Sequence, residues 1–593
     1  MGVAGLLRTV IEKYPNTILP APNPNIKVDY LYLDFNAFIY HAIRLFPSNK
    51  YNFSKNSEIK KYEKKLVKLI IDETIQLVNK IVKPSKLVYI AIDGPAPLAK
   101  MVQQRERRYK RILVEQIVKE YEPNKLISGI SYDTNRVTPG TTLMALLNEE
   151  FEKAISKKKF KNISVIFDGS NIPGEAEHKY LKILDGLVDD SKENHVVFSA
   201  DGDVIFLSLK YPGKKIYIMQ GVAASHALSK FYKETQDYAY LDVSKLGESY
   251  YNLYGKMQIG GNLSRNERRL LNVLGKGVGC KLENKVDEMR EFLVDFIFLS
   301  FLEGNDFLKP IYFIKFNQDK MRTLLGIYKY QRRIRNDCNY RLINRDMTIN
   351  FRFLLAVFRR LGDIEMEKIG EIKGNIERKM SRQPNRRNND SFEDKFYYEQ
   401  DNYLYKEFVK QFDFVFGDLS NFKKRYYEYF FPKKDKKQII KDYLKTLLFN
   451  LNYYFGISTS WVVHYNEAAA PLPSDIADFL ESNVEYFDKL RLEIGEPVHP
   501  FILLAYVLPP QSMTEGTIPV SYRDKLLGNY GEYFPERVDL RLLQPGFKLI
   551  HAEPHLENPP IGLLEEELGK VKLTKLERVR NELLGEPMVL IGK

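Results

Sequence analysis

Four short apolar runs constrain this chain more than any other feature: Tyr30–Leu33, Leu87–Ile92, Ile163–Phe167 and Val196–Ala200. Each is followed at once by an aspartate: Asp34, Asp93, Asp168 and Asp201. Unbroken apolar runs separated by segments of helical period are the pattern of strands buried on both faces. They predict an α/β fold with a mostly parallel central sheet flanked by helices. Lys215–Met219 reads as a fifth strand, and Ile59–Val82 and Leu98–Tyr121 as long helices. In parallel sheets, ligands gather beyond the carboxyl ends of the strands, so four such aspartates would converge on one edge. Any single one can instead be a turn or N-cap residue. The set argues for a site.

At 593 residues the chain exceeds a typical single domain. We divide it into an α/β region over 1–330 and a mainly helical region with a C-terminal segment over 331–593. Gly-, Asn- and Lys-rich stretches at about 253–290 and 376–394 read as inserted loops. The apolar fraction of 44% is ample for a core, and 90 Lys+Arg against 77 Asp+Glu leave a net charge of +13. Such an excess suits a polyanionic partner, nucleic acid first and an acidic membrane surface second. Two cysteines, Cys280 and Cys338, are too few for a disulfide framework or a four-cysteine zinc site and fit a reducing compartment. No apolar run approaches the roughly 20 residues that span a bilayer. The N-terminal apolar stretch is broken by Arg8 and Glu12, unlike a signal peptide. The expectation is a soluble chain without a membrane partner, cytoplasmic, with the nucleus as the alternative.

Seven acids stand in polar contexts beside apolar runs: Asp34 (YLDFN), Asp93 (AIDGP), Glu175 and Glu177 (PGEAEHK), Asp201 and Asp203 (SADGDVIF) and Asp306 (LEGNDFL). Glu175 and Glu177 are two residues apart, a spacing that points to different sides of a helix. They follow Pro173-Gly174, where the helix has only begun, so both can still turn to the sheet edge. Carboxylates gathered in one cleft repel unless cations neutralise them. Mg²⁺ suits oxygen-rich sites, and two ions roughly 3.5–4 Å apart can serve phosphodiester cleavage. The bland alternative is a scatter of unrelated surface acids. His178 reads as a helix-surface residue or one that supports the ligands rather than a ligand.

Directly after Asp93 comes PLAKMVQQRERRYKR, in which Lys100, Gln104, Arg107, Arg108 and Arg111 fall at i, i+4, i+7, i+8 and i+11. They make one stripe on one helical face, with Pro97 suited to the first turn. A charge run is by default a solvated face. Placed a turn beyond a strand-end aspartate, this one can instead grip a terminal phosphate.

The stretches MGVAGLLRTVIEKYP, YLYLDFNAFIYH, YIAIDGPAPLAKMVQQRERR, VTPGTTLM, IPGEAEHK, SADGDVIFLSL and DFIFLSFLEGNDFL occur in the order found in Xrn-type 5′→3′ exoribonucleases. The chain resembles that family over nearly its whole length, more weakly through FKKRYYEYFF, DYLKTLLFNLNYYFGISTSW, PFILLAYVLPP and YRDKLLGNYGEYFP. The resemblance implies a PIN-like 5′-nuclease fold and processive hydrolysis of single-stranded RNA bearing a 5′ monophosphate. Nucleoside monophosphates would be released with Mg²⁺ or Mn²⁺, two ions, in RNA decay, by a monomer served by decapping or other RNA-decay factors. Carried over position by position, it makes Asp34, Asp93, Glu175, Glu177, Asp201, Asp203 and Asp306 the catalytic metal-binding acids. Lys100, Gln104, Arg107 and Arg108 become the 5′-phosphate pocket. Asp168 stands where the family usually has Ser, which removes it from the strand-end set.

The family's base-stacking His position is Tyr40 here, followed by His41, and either ring can stack on a base. Trp461 falls in the segment of the family's stacking tryptophan; its alternative is a core residue. The chain reads as a short, core-only member without zinc-knuckle cysteines. Its frequent Lys, Asn, Ile and Tyr are what an AT-rich genome, such as a large virus's, would produce. Two other functions compete. A structure-specific 5′ flap-type nuclease would need a duplex-binding hairpin, for which no clear Gly-rich candidate is present. A catalytically silent RNA-binding scaffold predicts missing acids, and all seven are present.

Overall fold

The computed structural model describes residues 6–121, 132–161, 163–187, 192–222, 225–232, 237–257, 285–314, 320–335, 340–381, 400–544 and 552–592. The strands, in chain order, are β1 (Ile18–Ala21), β2 (Tyr30–Asp34), β3 (Leu87–Ala91), β4 (Ser164–Asp168), β5 (Asn194–Phe198), β6 (Lys215–Gly221), β7 (Tyr238–Asp242), β8 (Leu540–Arg541), β9 (Glu553–Pro554) and β10 (Met588–Leu590). Eight of them form one sheet in the order β1-β7-β6-β5-β2-β3-β4-β10, while β8 and β9 make a separate two-stranded ribbon. The pairs β6-β5, β5-β2, β2-β3 and β3-β4 are parallel. The antiparallel pairs lie outside that centre, with β7 and β1 on one flank and β10 on the other.

The five strands expected from sequence are present to within two residues at each end, and all five make the parallel centre. Their near-continuous apolar character follows from burial on both faces. Leu31 and Leu33 point into a core with the helices Phe35–Leu45, Asn56–Gln76 and Thr142–Ser156. Tyr32, between them, points the other way, into a core shared with Ala176–Gly186, Asp203–Leu209 and Lys285–Ser300. That second core runs on without a break into the helical region, through Phe351, Tyr426 and Tyr443. The expected helix Leu98–Tyr121 has those bounds; the other runs Asn56–Gln76 and continues as a π-helical stretch to Val82. Of the two expected insertions, 258–284 and 382–394 lie outside the described residues, and their flanks are helical.

The chain order places the site. From β2 the chain steps to β3 and β4 on one side, then returns to the other side of β2 for β5 and β6. Ligands bind at such a reversal, because the loops leaving the two neighbouring strands diverge and open a crevice at their carboxyl ends. Here the crevice lies between the ends of β2 and β5, the strands that precede Asp34 and Asp201.

The sheet is finished by residues from the far end of the chain. In β10, Met588, Val589 and Leu590 pair with Phe167, Ile166 and Val165. The Leu584 N–H donates to the Asn171 carbonyl at 2.9 Å. Without this strand, β4 would present an open edge, the usual template for unwanted pairing. Deleting residues 585–593 is expected to lower the melting temperature and to make aggregation concentration-dependent. Thermal unfolding with light scattering checks it, and an unchanged transition would show that β10 adds nothing.

Candidate active site

The loop after β3 and the loop before Glu175 are bolted together. Gly94 N–H donates to the Gly174 carbonyl, and Gly174 N–H to the Pro95 carbonyl, each at 2.9 Å. A Cβ on Gly94 would lie 1.7 Å from the Ile172 carbonyl oxygen, so only glycine allows the approach. Gly174 has φ +111°, a conformation that also favours glycine. The reciprocal bonds set Asp93 beside the start of the helix Ala176–Gly186, where its Oδ1 accepts from the Ala176 N–H at 2.8 Å. Glu175 is the last extended residue before that helix and Glu177 lies in its first turn. Their two-residue spacing is therefore no helical spacing, and both carboxyls turn inward, 3% and 9% exposed.

The remaining acids arrive on the neighbouring loops. Asp34 ends β2, and its Oδ2 accepts from the Ser199 hydroxyl at 2.6 Å. The same Ser199 oxygen accepts from the Asp201 N–H at 3.0 Å, which ties the ends of β2 and β5 together. Asp203 opens the helix Asp203–Leu209. Asp306 sits in a turn made by Gly304 (φ +85°) and by Asn305, whose side chain accepts from Phe307 and Leu308 N–H. Asn305 Nδ2 in turn donates to Asn450 Oδ1 at 2.5 Å, anchoring the turn to the helix Lys436–Tyr454.

The seven carboxyls form one electrostatic network. Burial first, then the charges of Asp93 and Asp201, push the Asp34 carboxyl up to about 8, with the Ser199 hydroxyl opposing. Burial, then Asp306 and Asp201, push Asp203 up to about 7. Burial and the charges of Glu175, Asp34 and Asp93 hold Glu177 well above the usual carboxylate range. Burial also raises Glu175, against the pull of Lys100. Lys100 brings a positive charge into the cluster: its Nζ lies 2.5 Å from Glu175 Oε2 and 2.8 Å from Asp306 Oδ2. Burial disfavours its ammonium, but Asp306, Glu175 and Glu177 outweigh that and hold its pKa well above normal. Burial likewise pushes Asp306 up, yet Lys100 prevails and keeps it ionised.

The donor set fits a hard divalent cation: every acid offers oxygen, the charges repel, and Asp203 Oδ1 is buried with no hydrogen-bond partner among the described residues. His178 stands apart from the expectation of a helix-surface residue. It is half-buried, its ring 3.8 Å from the Tyr453 ring, and one of its nitrogens lies within 4.8 Å of an oxygen each from Glu175 and Glu177. Burial and the charges of Lys210 and Lys100 keep it well below its usual pKa.

The basic stripe does not act as one surface. Lys100 belongs to the acid cluster. Arg108 is buried, with Nη2 only 3.4 Å from Gln104 Oε1 and Nη1 without a partner among the described residues. Burial, with the charge of Arg107, lowers the Arg108 pKa to about 10, while Tyr40 opposes the shift. Arg107 is exposed, and Arg111 is engaged by Glu115 at 2.8 Å. Tyr40 thus lies within electrostatic reach of Arg108, whereas His41 answers to Arg44 and Glu73 on the other side of its helix. Trp461 is half-buried, and its carbonyl accepts from the N–H of Leu98 at the start of the basic helix, 3.1 Å away. Asp168 lies beneath the site, its Oδ1 2.8 Å from Lys179 Nζ and its Oδ2 accepting from the Tyr89 hydroxyl.

Residues 1–221 match the family description "XRN 5'-3' exonuclease N-terminus", and residues 417–530 match "Xrn1 helical domain". The chain belongs to the XRN 5′-3′ exonuclease family. Human 5′-3′ exoribonuclease 1 is 25% identical over 98% of this chain and 35% of its own length. Arabidopsis thaliana 5′-3′ exoribonuclease 2 is 24% identical over all of this chain and 70% of its own length. Saccharomyces cerevisiae 5′-3′ exoribonuclease 1 is 27% identical over 56% of this chain. The XRN-family chain spans only 20% of the yeast relative and 35% of the human one. A solved catalytic core of Rad2 in complex with DNA substrate overlaps at a TM-score of 0.22 and 13% identity, covering 55% of this chain and 80% of its own. Kinship with XRN nucleases implies dependence on a divalent metal, and the acid cluster offers the oxygens to bind it.

Sequence reading did not find Asn36, Ser199, Lys179 or Tyr453, which hold the acids or their loops in place. Of these, Asn36, Ser199 and Lys179 each lie two residues from an acid of the set (Asp34, Asp201 and Glu177), whereas Tyr453 carried no local signal. The raised carboxyls have a consequence for stability. Asp34 and Asp203 bind their protons more tightly folded than unfolded, where Asp titrates near 4. Their contribution is therefore complete below about pH 4 and is lost as pH rises through about 7 to 8. Metal-free protein is expected to melt at lower temperature at pH 8.5 than at pH 6, and Mn²⁺ to raise the transition more at pH 8.5. Scanning calorimetry with Asp203→Asn, which should flatten the slope, checks this.

Proposed function

We propose that this chain is a processive 5′→3′ exoribonuclease that hydrolyses single-stranded RNA with a 5′ monophosphate to nucleoside monophosphates. The observation that carries the reading is the single network of seven carboxyls at the reversal of strand order, with the unpartnered Arg108 guanidinium nitrogen on the adjacent helix. The curated relatives named above are called 5′-3′ exoribonucleases, which supports the same activity here.

Asp34, Asp93, Glu175, Glu177, Asp201, Asp203 and Asp306 would hold the metal, with Mg²⁺ or Mn²⁺ suited to an all-oxygen set and two ions to its charge. Bound ions supply neutralisation of the acids and activation of the attacking water at the scissile phosphodiester. Lys100 balances the cluster's charge until a cation competes for its carboxylates or a phosphate for its ammonium. Arg108, with Gln104 beside it and Arg107 at the rim, would receive the 5′ phosphate through charge-assisted hydrogen bonds. The burial of Arg108 limits the room there, so a cap or triphosphate would be excluded. Tyr40, next to Arg108, is the better stacking platform for the first base than His41, and Trp461 flanks the start of the same helix. The reading includes action as a monomer on ends exposed by decapping or other decay steps, in the cytoplasm or the nucleus. Among the described residues no helix is long and apolar enough to cross a membrane.

End-labelled RNA carrying a 5′ monophosphate, hydroxyl, triphosphate or cap, digested with Mg²⁺, tests the proposal. Stepwise release from the monophosphate substrate is expected, and EDTA should stop it; endonucleolytic cuts or persistence in EDTA would overturn it. Asp201→Ala with Asp203→Ala should reduce digestion by more than about a hundred-fold, the upper range for loss of a supporting ligand contact, while RNA binding in EDTA survives. Arg108→Ala should lower the preference for monophosphate over hydroxyl ends by about ten-fold or more, and Arg107→Ala by less. Equal preference in the Arg108 variant and the parent would remove Arg108 from the phosphate pocket.

A further inference from the structure

The helix Lys436–Tyr454, from the part that matches the helical domain, ends against the acid cluster. Its Tyr453 hydroxyl donates to Glu175 Oε1 at 2.7 Å, across 278 residues of sequence. The other oxygen, Oε2, takes Lys100. We propose that Tyr453 is a positioning residue that commits one oxygen of Glu175 and presents the other to the metal cluster. The cluster is then complete only when the helical region is docked on the sheet. The inference rests on reading the acid cluster as a divalent-metal site.

Glu175 has a reason to need holding. Glu177 and Asp93 act on it as like charges, so an unrestrained side chain would rotate away from the cluster. The Tyr453 ring cannot follow such a movement. It lies 3.8 Å from the His178 ring, is stacked on Phe449 at 5.3 Å and meets Phe307 edge-on at 5.3 Å. Phe307 directly follows Asp306, so one ring braces two acid-bearing segments that come from opposite sides of the cluster. The hydroxyl is a separable part of this arrangement: the ring does the packing, and the oxygen reaches Glu175. A ligating carboxylate whose partner is removed binds its metal about 10 to 100 times more weakly.

Tyr453→Phe keeps the ring and deletes the donor. Mn²⁺ binding to the full chain, followed by calorimetry or by the electron paramagnetic resonance of free Mn²⁺, should weaken by about ten-fold or more in this variant. Affinity for single-stranded RNA in EDTA and the metal-free melting temperature should stay close to the parent's, and saturating Mn²⁺ should recover most of kcat. Unchanged Mn²⁺ affinity would overturn the proposal. So would loss of RNA affinity and thermal stability together with Mn²⁺ affinity, which would make Tyr453 a structural residue only. A parent chain that binds no Mn²⁺ would instead refute the metal reading itself, a distinct outcome visible before the variant is measured.

Discussion

A lysine ammonium enclosed by carboxylates is the interaction on which this site depends. Seven acids drawn into one crevice would drive one another apart or take up protons, and Asp34, Asp203 and Glu177 are pushed towards protonation. Lys100 relieves part of that load by bridging Glu175 and Asp306, which reach the cluster from different parts of the chain. Its position near the start of the long basic helix links the acid cluster to Arg108 on the same helix. Charge balance and the proposed phosphate contact thus share one helix, so a shift of that helix would disturb both.

The backbone around the cluster is correspondingly fixed. The Gly94–Gly174 and Gly174–Pro95 hydrogen bonds hold two loops closer than any side chain would allow, and the Ser199 hydroxyl ties the ends of β2 and β5. Asn305 and Asn450 fix the turn that carries Asp306. Donors aimed at carboxylates orient them before any cation arrives, and the cost of gathering like charges is offset by folding. The helical region takes part in this, since its apolar core is continuous with one face of the sheet.

The parallel centre of the sheet was legible because strands covered on both faces are apolar at every position. The antiparallel flanks were not. β1 is four residues long and contains Pro20, and β10 is three residues long, too short for any period to register. β7, YAYLD, echoes YLYLD at β2, yet it runs the other way, so its Asp242 lies at the opposite edge and caps the next helix through the Lys245 N–H. A strand-end aspartate is informative only when the strand's direction is known. The acids of the candidate site could be named from sequence because each sits in a short, distinctive context. The hydroxyl roles of Ser199 and Tyr453 could not, because the bonds from Ser199 to Asp34 and from Tyr453 to Glu175 are tertiary contacts. Helical periodicity grouped Lys100, Arg107 and Arg108 on one face, but did not reveal the burial that separates them: Lys100 in the acid cluster, Arg107 in solvent and Arg108 in the interior.

The order in which the cluster's parts appear along the chain has a consequence for synthesis. Asp34 and Asp93 emerge from a ribosome early, Asp306 only after half of the chain, the helix that carries Tyr453 later still, and β10 last of all. Contacts of such long sequence separation form late, because the loops they close must first exist. A nascent chain that has not yet reached Asp306 therefore holds only a partial set of the acids. Glu175, in particular, lacks the hydroxyl that fixes one of its oxygens until the helix Lys436–Tyr454 has been made and docked.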